Sequence, residues 1–431
     1  MSAVVSSEPP AHAHPPAHRP LDVAILGQVT LGYSPFIDRN RTVSATRLTV
    51  FPIKTDAALD VAQLLHAVGS VWPESGGQVA LNVVSENLLH ELLRAQPSTN
   101  LMVEVPNFMA GDPANTEALV RLHAAGNVLL LKGRPNGELP REVLPCFKYA
   151  IIDLADDRRI GTPAENGPPP GVSRTIQHVQ SGVRTMVDME SSFKRGAAAV
   201  LGWPIDDALE TQARVSGRRE APPDLQVVVE LIRRVDNEDA LDKLETTLKR
   251  DPTLAFKLLR YINSPAFGLR VEIGSFRHAI MLLGYQRLKR WLALLLVTAS
   301  KDVNLKPVMF AAVRRGLLME ELVAGSGDDE LRGEVFICGV FSLLDRMFGQ
   351  PFAKLMRGIP VPERVFQALV DDTGPFAPYL AMVRAAEGES VTDFRDAAEC
   401  LLMSVAEINR ALLRALTGAA ELDAGSDAEP T

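Results

Sequence analysis

The chain has 431 residues, 46% hydrophobic and 23% charged, and carries a formal net charge of −8. That length allows two or three domains, each with its own core, and the composition is that of a soluble globular protein. Three scattered cysteines, Cys146, Cys338 and Cys400, exclude a disulfide framework and a zinc ribbon.

Residues 1–20 hold five prolines and three histidines, His12, His14 and His18. Such a stretch buries little apolar surface, so a disordered tail is expected; it lacks the basic-then-apolar order of a secretory signal. From 21 to 210 short strand patterns alternate with helical ones. Strands are predicted at 23–30 and 42–50, with Asp38-Arg39-Asn40 as a hairpin turn. Apolar residues at 59, 61, 64, 65 and 68 place a helix over 56–71. Then follow strand 78–84, helix 86–94, strand 100–105, helix 116–125 and strand 127–131. Further strands are predicted at 147–154 and 184–187, a loop at 161–171 and a helix at 192–200. Alternation of this kind points to a parallel sheet or a β/α barrel.

After a linker at 211–222 the pattern is helical throughout, over 225–235, 239–249 and, opened by Asp251-Pro252, 251–262. Ser275 caps the next helix and Gly284 closes it. Helices continue at 287–299, 307–323, 331–348, 362–371 and 379–386. Ser404 and Glu407 form a capping box for a last helix, predicted to end before Gly418. Residues 418–431 are expected to be a flexible acidic tail. The longest apolar stretch, 291–299, is about half a membrane span, so a cytoplasmic protein without membrane contact is expected. Between Ala240 and Lys301 eleven Lys and Arg face four Asp and Glu. Solvated helix faces explain that basic segment better than RNA binding, because the charges fall at helical spacing.

The stretch RDPTLAFKLLRYINSPAFGLRVEIGSFRHAIMLLG at 250–284 resembles the core of HDOD domains. Asp251, Pro252, Leu254, Leu258, Leu259, Arg260, Asn263, Ser264, Ala279, Leu283 and Gly284 carry the resemblance, which implies an all-helical domain over 223–417. The pair Asn263-Ser264 has a bland alternative role, ending one helix and turning the chain. Residues 21–210 resemble, more faintly, the EAL domain found in the same proteins. Pro35–Asn40, Asn82 and Ser85 in VALNVVSENLL, Val103-Glu-Val and the strand ending at Asp153 carry that likeness. It implies a degenerate TIM-type β/α barrel. The span is short for the family, leaving room for trimmed helices and leaving open whether the barrel closes.

Active EAL domains hydrolyse cyclic di-GMP with two divalent cations in a cage of carboxylates and an asparagine, a donor set suited to hard cations. By resemblance, the signature glutamate falls on Arg47, the tandem aspartates on 130–133 with Lys132, the catalytic lysine on Ile151 and the late glutamate near Val187. Asn82, Glu104 and Asp153 remain. Asn82 and Glu104 are therefore expected to be hydrogen-bond partners inside the barrel. In the helical half, His278 is the one histidine after residue 210, whereas an HD-type metal site needs several. Where an active relative would carry His-Asp, Phe341, Ser342 and Leu343 stand. No phosphate-binding loop, nucleophile elbow or dinucleotide fingerprint occurs.

The expectation is a protein without catalytic residues, metal or cofactor, acting as a bacterial signalling adaptor through a protein partner or self-association. The alternatives are a cyclic di-GMP receptor that does not cut its ligand, using Arg47 and Lys132, and a residual phosphodiesterase.

Overall fold

A computed structural model describes residues 21–54, 59–74, 77–133, 139–157, 176–207, 223–248, 276–298 and 302–427. The HDOD signature positions Asp251, Pro252, Leu259, Arg260, Asn263 and Ser264 lie outside them, as do the expected N-terminal tail and linker.

Eight strands close into a barrel in sequence order, β1 (Val29–Asp38), β2 (Val43–Pro52), β3 (Gln78–Val83), β4 (Leu101–Pro106), β5 (Leu129–Lys132), β6 (Phe147–Asp153), β7 (Gln177–Ser181) and β8 (Ala199–Leu201). Closure leaves no strand edge to cover, which settles what the short span left open. β1 runs antiparallel to both neighbours, β2 and β8; the other pairings are parallel. Helices α1 (Val61–Val71), α2 (Glu86–Arg94), α3 (Asn107–Ala110), α4 (Thr116–Ala124) and α5 (Met186–Lys194) pack outside. Their starts are written locally: Asp60 accepts from the amides of Ala62 and Gln63, and Ser85 from that of Leu88. Between β5 and β6 the described residues hold only a 3₁₀ turn, Leu144–Cys146.

Alternation along each strand sorts the two faces. Leu48, Val50, Leu81, Val103 and Leu131 face the helices, whereas Ala45, Ala80, Met102, Leu130, Ile151 and Val179 fill the barrel interior.

The helical half consists of α6 (Pro223–Asp236), α7 (Leu241–Leu248), α8 (Phe276–Thr298), α9 (Lys306–Leu322), α10 (Asp329–Phe341), α11 (Leu344–Phe348), α12 (Phe352–Leu355), α13 (Glu363–Phe366), α14 (Ala377–Glu387), α15 (Val391–Cys400) and α16 (Val405–Asp427). Gly284 breaks α8 with φ 70° and ψ 170°, an extended positive-φ conformation essentially confined to glycine, rather than in the left-handed helical geometry expected of a closing residue. The capping box forms as read, the Ser404 amide donating to Glu407 Oε2 at 2.8 Å and the Glu407 amide to Ser404 Oγ at 3.3 Å.

Several expectations are corrected. Residues 24–27 form a 3₁₀ turn, so the first strand starts at Val29. The strand expected at 184–187 is a helix start: Thr185 Oγ1 accepts from the Asp188 amide, a cap that outweighs the local β-propensity. The strand lies earlier, at Gln177–Ser181, and 192–200 divides into the end of α5 and β8. The single helix at 331–348 is two, because Ser342 caps back onto the Gly339 carbonyl at 2.7 Å. Residues 391–400 form a helix that was not predicted. Gly418 does not end the last helix, which runs to Asp427, so the expected tail from 418 is helical over most of its length. A helical glycine costs about 1 kcal/mol relative to alanine; here Leu317 sits over it, and a Cβ at Gly418 would lie 3.9 Å from that side chain.

The two halves share one apolar core. Trp203 packs against Phe310 of α9 with the rings tilted by 37° and their centroids 6.2 Å apart. Asn409 of α16 is fully buried and donates to the carbonyls of Leu26 (2.8 Å) and Val29 (2.7 Å) while accepting from the Leu31 amide (3.2 Å). Thus one side chain serves three backbone groups where β1 begins. Asn409→Ala should lower stability by about 3 kcal/mol, since buried polar groups left unpaired cost about 1–3 kcal/mol each. Urea unfolding checks this; an unchanged midpoint would contradict it.

Candidate site at the barrel mouth

The inward face of the barrel becomes polar toward the C-terminal ends of its parallel strands. Arg47 follows Ala45 on β2, Asn82 follows Ala80 on β3, and Glu104 follows Met102 on β4. Lys132 follows Leu130 on β5, and Asp153 follows Ile151 on β6. Period-2 alternation therefore brings together Arg47, Asn82, Glu104, Lys132, Ile151 and Asp153. Val187 is not among them; it lies 47% exposed on α5.

Arg47 and Glu104 form a two-toothed pair, with Nε to Oε1 at 2.7 Å and Nη2 to Oε2 at 2.9 Å, and both side chains are almost fully buried. Burial opposes the guanidinium charge, but the field of Glu104 and its hydrogen bonds outweigh that and hold Arg47 above its ordinary value. The remaining nitrogen, Nη1, donates to Glu389 of the helical half. Lys132 Nζ donates to Asn82 Oδ1 at 3.0 Å, and Asn82 Nδ2 donates to Thr49 at 3.3 Å. Burial lowers the Lys132 pKa, the first cause ahead of the opposing pull of Glu104. Asp153 is exposed and accepts from the Ala155 amide at 2.9 Å and from Ser181 at 3.3 Å.

Above these residues lies a cavity of about 710 Å³, roofed by the helical half. Sequence reasoning missed that roof. Arg315 holds Glu387 with two bonds, 2.8 and 2.6 Å, and Ser342 with a third at 3.1 Å. Asp345, Arg346 and Arg384 also line the cavity. One signal was available: Arg314-Arg315 interrupts the apolar run of α9, and such a pair inside a buried helix calls for partners. Its partner, 72 residues away, could not be read from spacing. The turn between α14 and α15, Gly388-Glu389-Ser390, reaches down to β1. A Cβ at Gly32 would stand 2.9 Å from the Gly388 carbonyl oxygen, so this close approach depends on glycine there.

A metal pair does not fit these residues. Glu104 gives both oxygens to Arg47, and Asn82 gives its oxygen to Lys132. Among the described residues no group of three or more His, Cys, Asp and Glu stands close enough to hold a metal ion.

Two expected outcomes follow. Arg47→Met should destabilise by about 3–5 kcal/mol, because it strands the Glu104 charge, and adding Glu104→Met should restore most of the loss; a double-mutant cycle in denaturant measures it. The second concerns Asp345, whose carboxyl burial raises above the usual range. A raised folded value favours folding below the unfolded pKa and loses that benefit as pH rises through the folded one. Asp345→Asn should therefore gain stability relative to the parent at neutral pH, and the gain should vanish in acid; thermal unfolding across pH reads it.

Comparison with known proteins places the helical half. The HDOD domain family matches residues 221–348. Over 169 residues the chain is 25% identical to the uncharacterized protein YuxH of Bacillus subtilis (strain 168), 37% of this chain and 40% of that protein. Over 164 residues it is 24% identical to the cyclic di-GMP phosphodiesterase CdgJ of Vibrio cholerae serotype O1, 38% of each. It thus spans about two-fifths of the curated relatives it matches. A standalone EAL protein of Vibrio cholerae O395, solved with c-di-GMP bound, aligns at TM-score 0.30 and 13% identity, covering 42% of this chain and 91% of that one. No described helix is long and apolar enough to cross a membrane. Residues 221–348 are an HDOD domain, carried behind a closed eight-stranded barrel in a chain related over part of its length to a cyclic di-GMP phosphodiesterase.

Proposed function

We propose that this protein is a non-catalytic regulator of bacterial signalling, acting through protein contacts within the circle of cyclic di-GMP proteins. The observation that carries this reading is the buried Arg47–Glu104 pair at the barrel mouth. A carboxylate bound at both oxygens by a guanidinium has no charge left to offer a cation. Water activation by metal needs an anionic cage with an open position; here Arg47 and Lys132 stand among the carboxylates of the mouth and take up the oxygens of Glu104 and Asn82. A barrel held in this way serves as a scaffold, and the helical half closed over it presents the outer surface to a partner.

A second reading is favoured by one feature, the cavity of about 710 Å³. Its volume falls within the range of small-molecule sites, about 300–1,000 Å³, and Arg47 and Lys132 lie on its floor. A ligand read there without being cut would make the protein a receptor.

Purified full chain incubated with cyclic di-GMP and either magnesium or manganese should release no linear dinucleotide over hours. Metal-dependent turnover abolished by Glu104→Gln would overturn the non-catalytic reading.

A further inference from the structure

Arg47 has three donors aimed at two carboxylates of different standing. Glu104 has a side chain 0% exposed and binds through both oxygens. It cannot leave without stranding a buried charge. Glu389 is 60% exposed and meets the third donor from the helical half. On leaving Arg47 it passes into water and loses little. The bond from Nη1 is therefore the exchangeable one. Lys132, beside it on the cavity floor, is bonded to an amide oxygen rather than a carboxylate. With Glu389 withdrawn, Arg47 Nη1 loses its carboxylate partner, and Arg47 and Lys132 both face the cavity, with Asp153 as a further carboxylate on its lining.

The turn carrying Glu389 is short and set between two anchors. On one side Glu387 is tied to Arg315. On the other Ser390 caps α15 by accepting from the Asp393 amide at 3.2 Å. Between them the Gly388 carbonyl rests against Gly32 on the inward side of β1. A carboxylate on such a turn resembles a bound anion delivered by the protein itself.

We propose that Glu389 is an internal stand-in for an oxyanion ligand of the phosphate or phosphodiester class: the external anion binds Arg47 Nη1 and Lys132 by displacing Glu389, and so frees the 388–390 turn from the barrel mouth. This rests on the reading that the mouth works without metal. Ligand binding would then be coupled to the seating of the helical half, because the anion and the turn compete for one guanidinium.

The test uses the full chain with a chelator present. Calorimetric titration with inorganic phosphate and, separately, with cyclic di-GMP compares the parent with Glu389→Gln. Removal of the competing charge should tighten binding of at least one of the two anions by tenfold or more. Phosphate binding would show that the bare oxyanion suffices, and binding of the dinucleotide alone would show that the cavity walls contribute; either supports the seat. Gly32→Ala, which pushes on the Gly388 carbonyl without changing charge, should tighten binding in the same direction. In the parent, saturating anion should speed amide exchange over 388–391. Equal affinities in parent and Glu389→Gln, or no binding by either, would overturn the proposal. Because no metal is present, these outcomes are independent of any turnover that would sink the non-catalytic reading.

Discussion

The buried ion pair between Arg47 and Glu104 is the constraint on which the rest of the mouth depends. Two charges taken from water cost several kcal/mol each unless their hydrogen bonds are met. Here the guanidinium gives all three of its faces, two donors to Glu104 and one to Glu389. Strand alternation puts Arg47 and Glu104 on the same inward face, and Ala80, in register with Arg47 on the strand between them, is small. The pair thus ties β2 to β4 across the barrel, while the third bond reaches the helical half.

That third bond joins a wider set of contacts. Arg315 and Glu387 form a second buried pair near the mouth, with side chains each 6% exposed. Asn409 grips the start of β1, and Trp203 meets Phe310. Apolar burial joins the halves, and it is non-directional. The charged groups and the asparagine fix which surfaces face each other. The closed barrel and the helical half are consequently held together over the described residues, with a cavity between them where they meet.

Much of this was legible in the sequence for a stated reason. Period-2 alternation and the capping box at Ser404 are local, so the strands and the last helix start could be read from neighbours alone, whereas the caps at Asp60 and Ser85 were not read. Where local signals competed, the expectation slipped: the run at 184–187 looked extended, but Thr185 and Asp188 make a helix start. Gly418 looked like a stop, yet packing under α9 keeps it helical. The barrel positions Arg47, Asn82, Glu104 and Lys132 could be named through resemblance, and alternation explains why they meet. Their partners could not be named. Glu389 stands 342 residues from Arg47 in sequence, and nothing in the pattern Glu387-Gly388-Glu389 announces that it returns to the first hairpin.

On the proposed reading, internal cations occupy the place where a metal pair would be held. Titrating the full chain with manganese and following the free-ion signal by electron paramagnetic resonance tests it without reference to any substrate. The signal should rise in proportion to added manganese at stoichiometric protein. Loss of two equivalents of signal per chain, restored by Glu104→Gln, would contradict it.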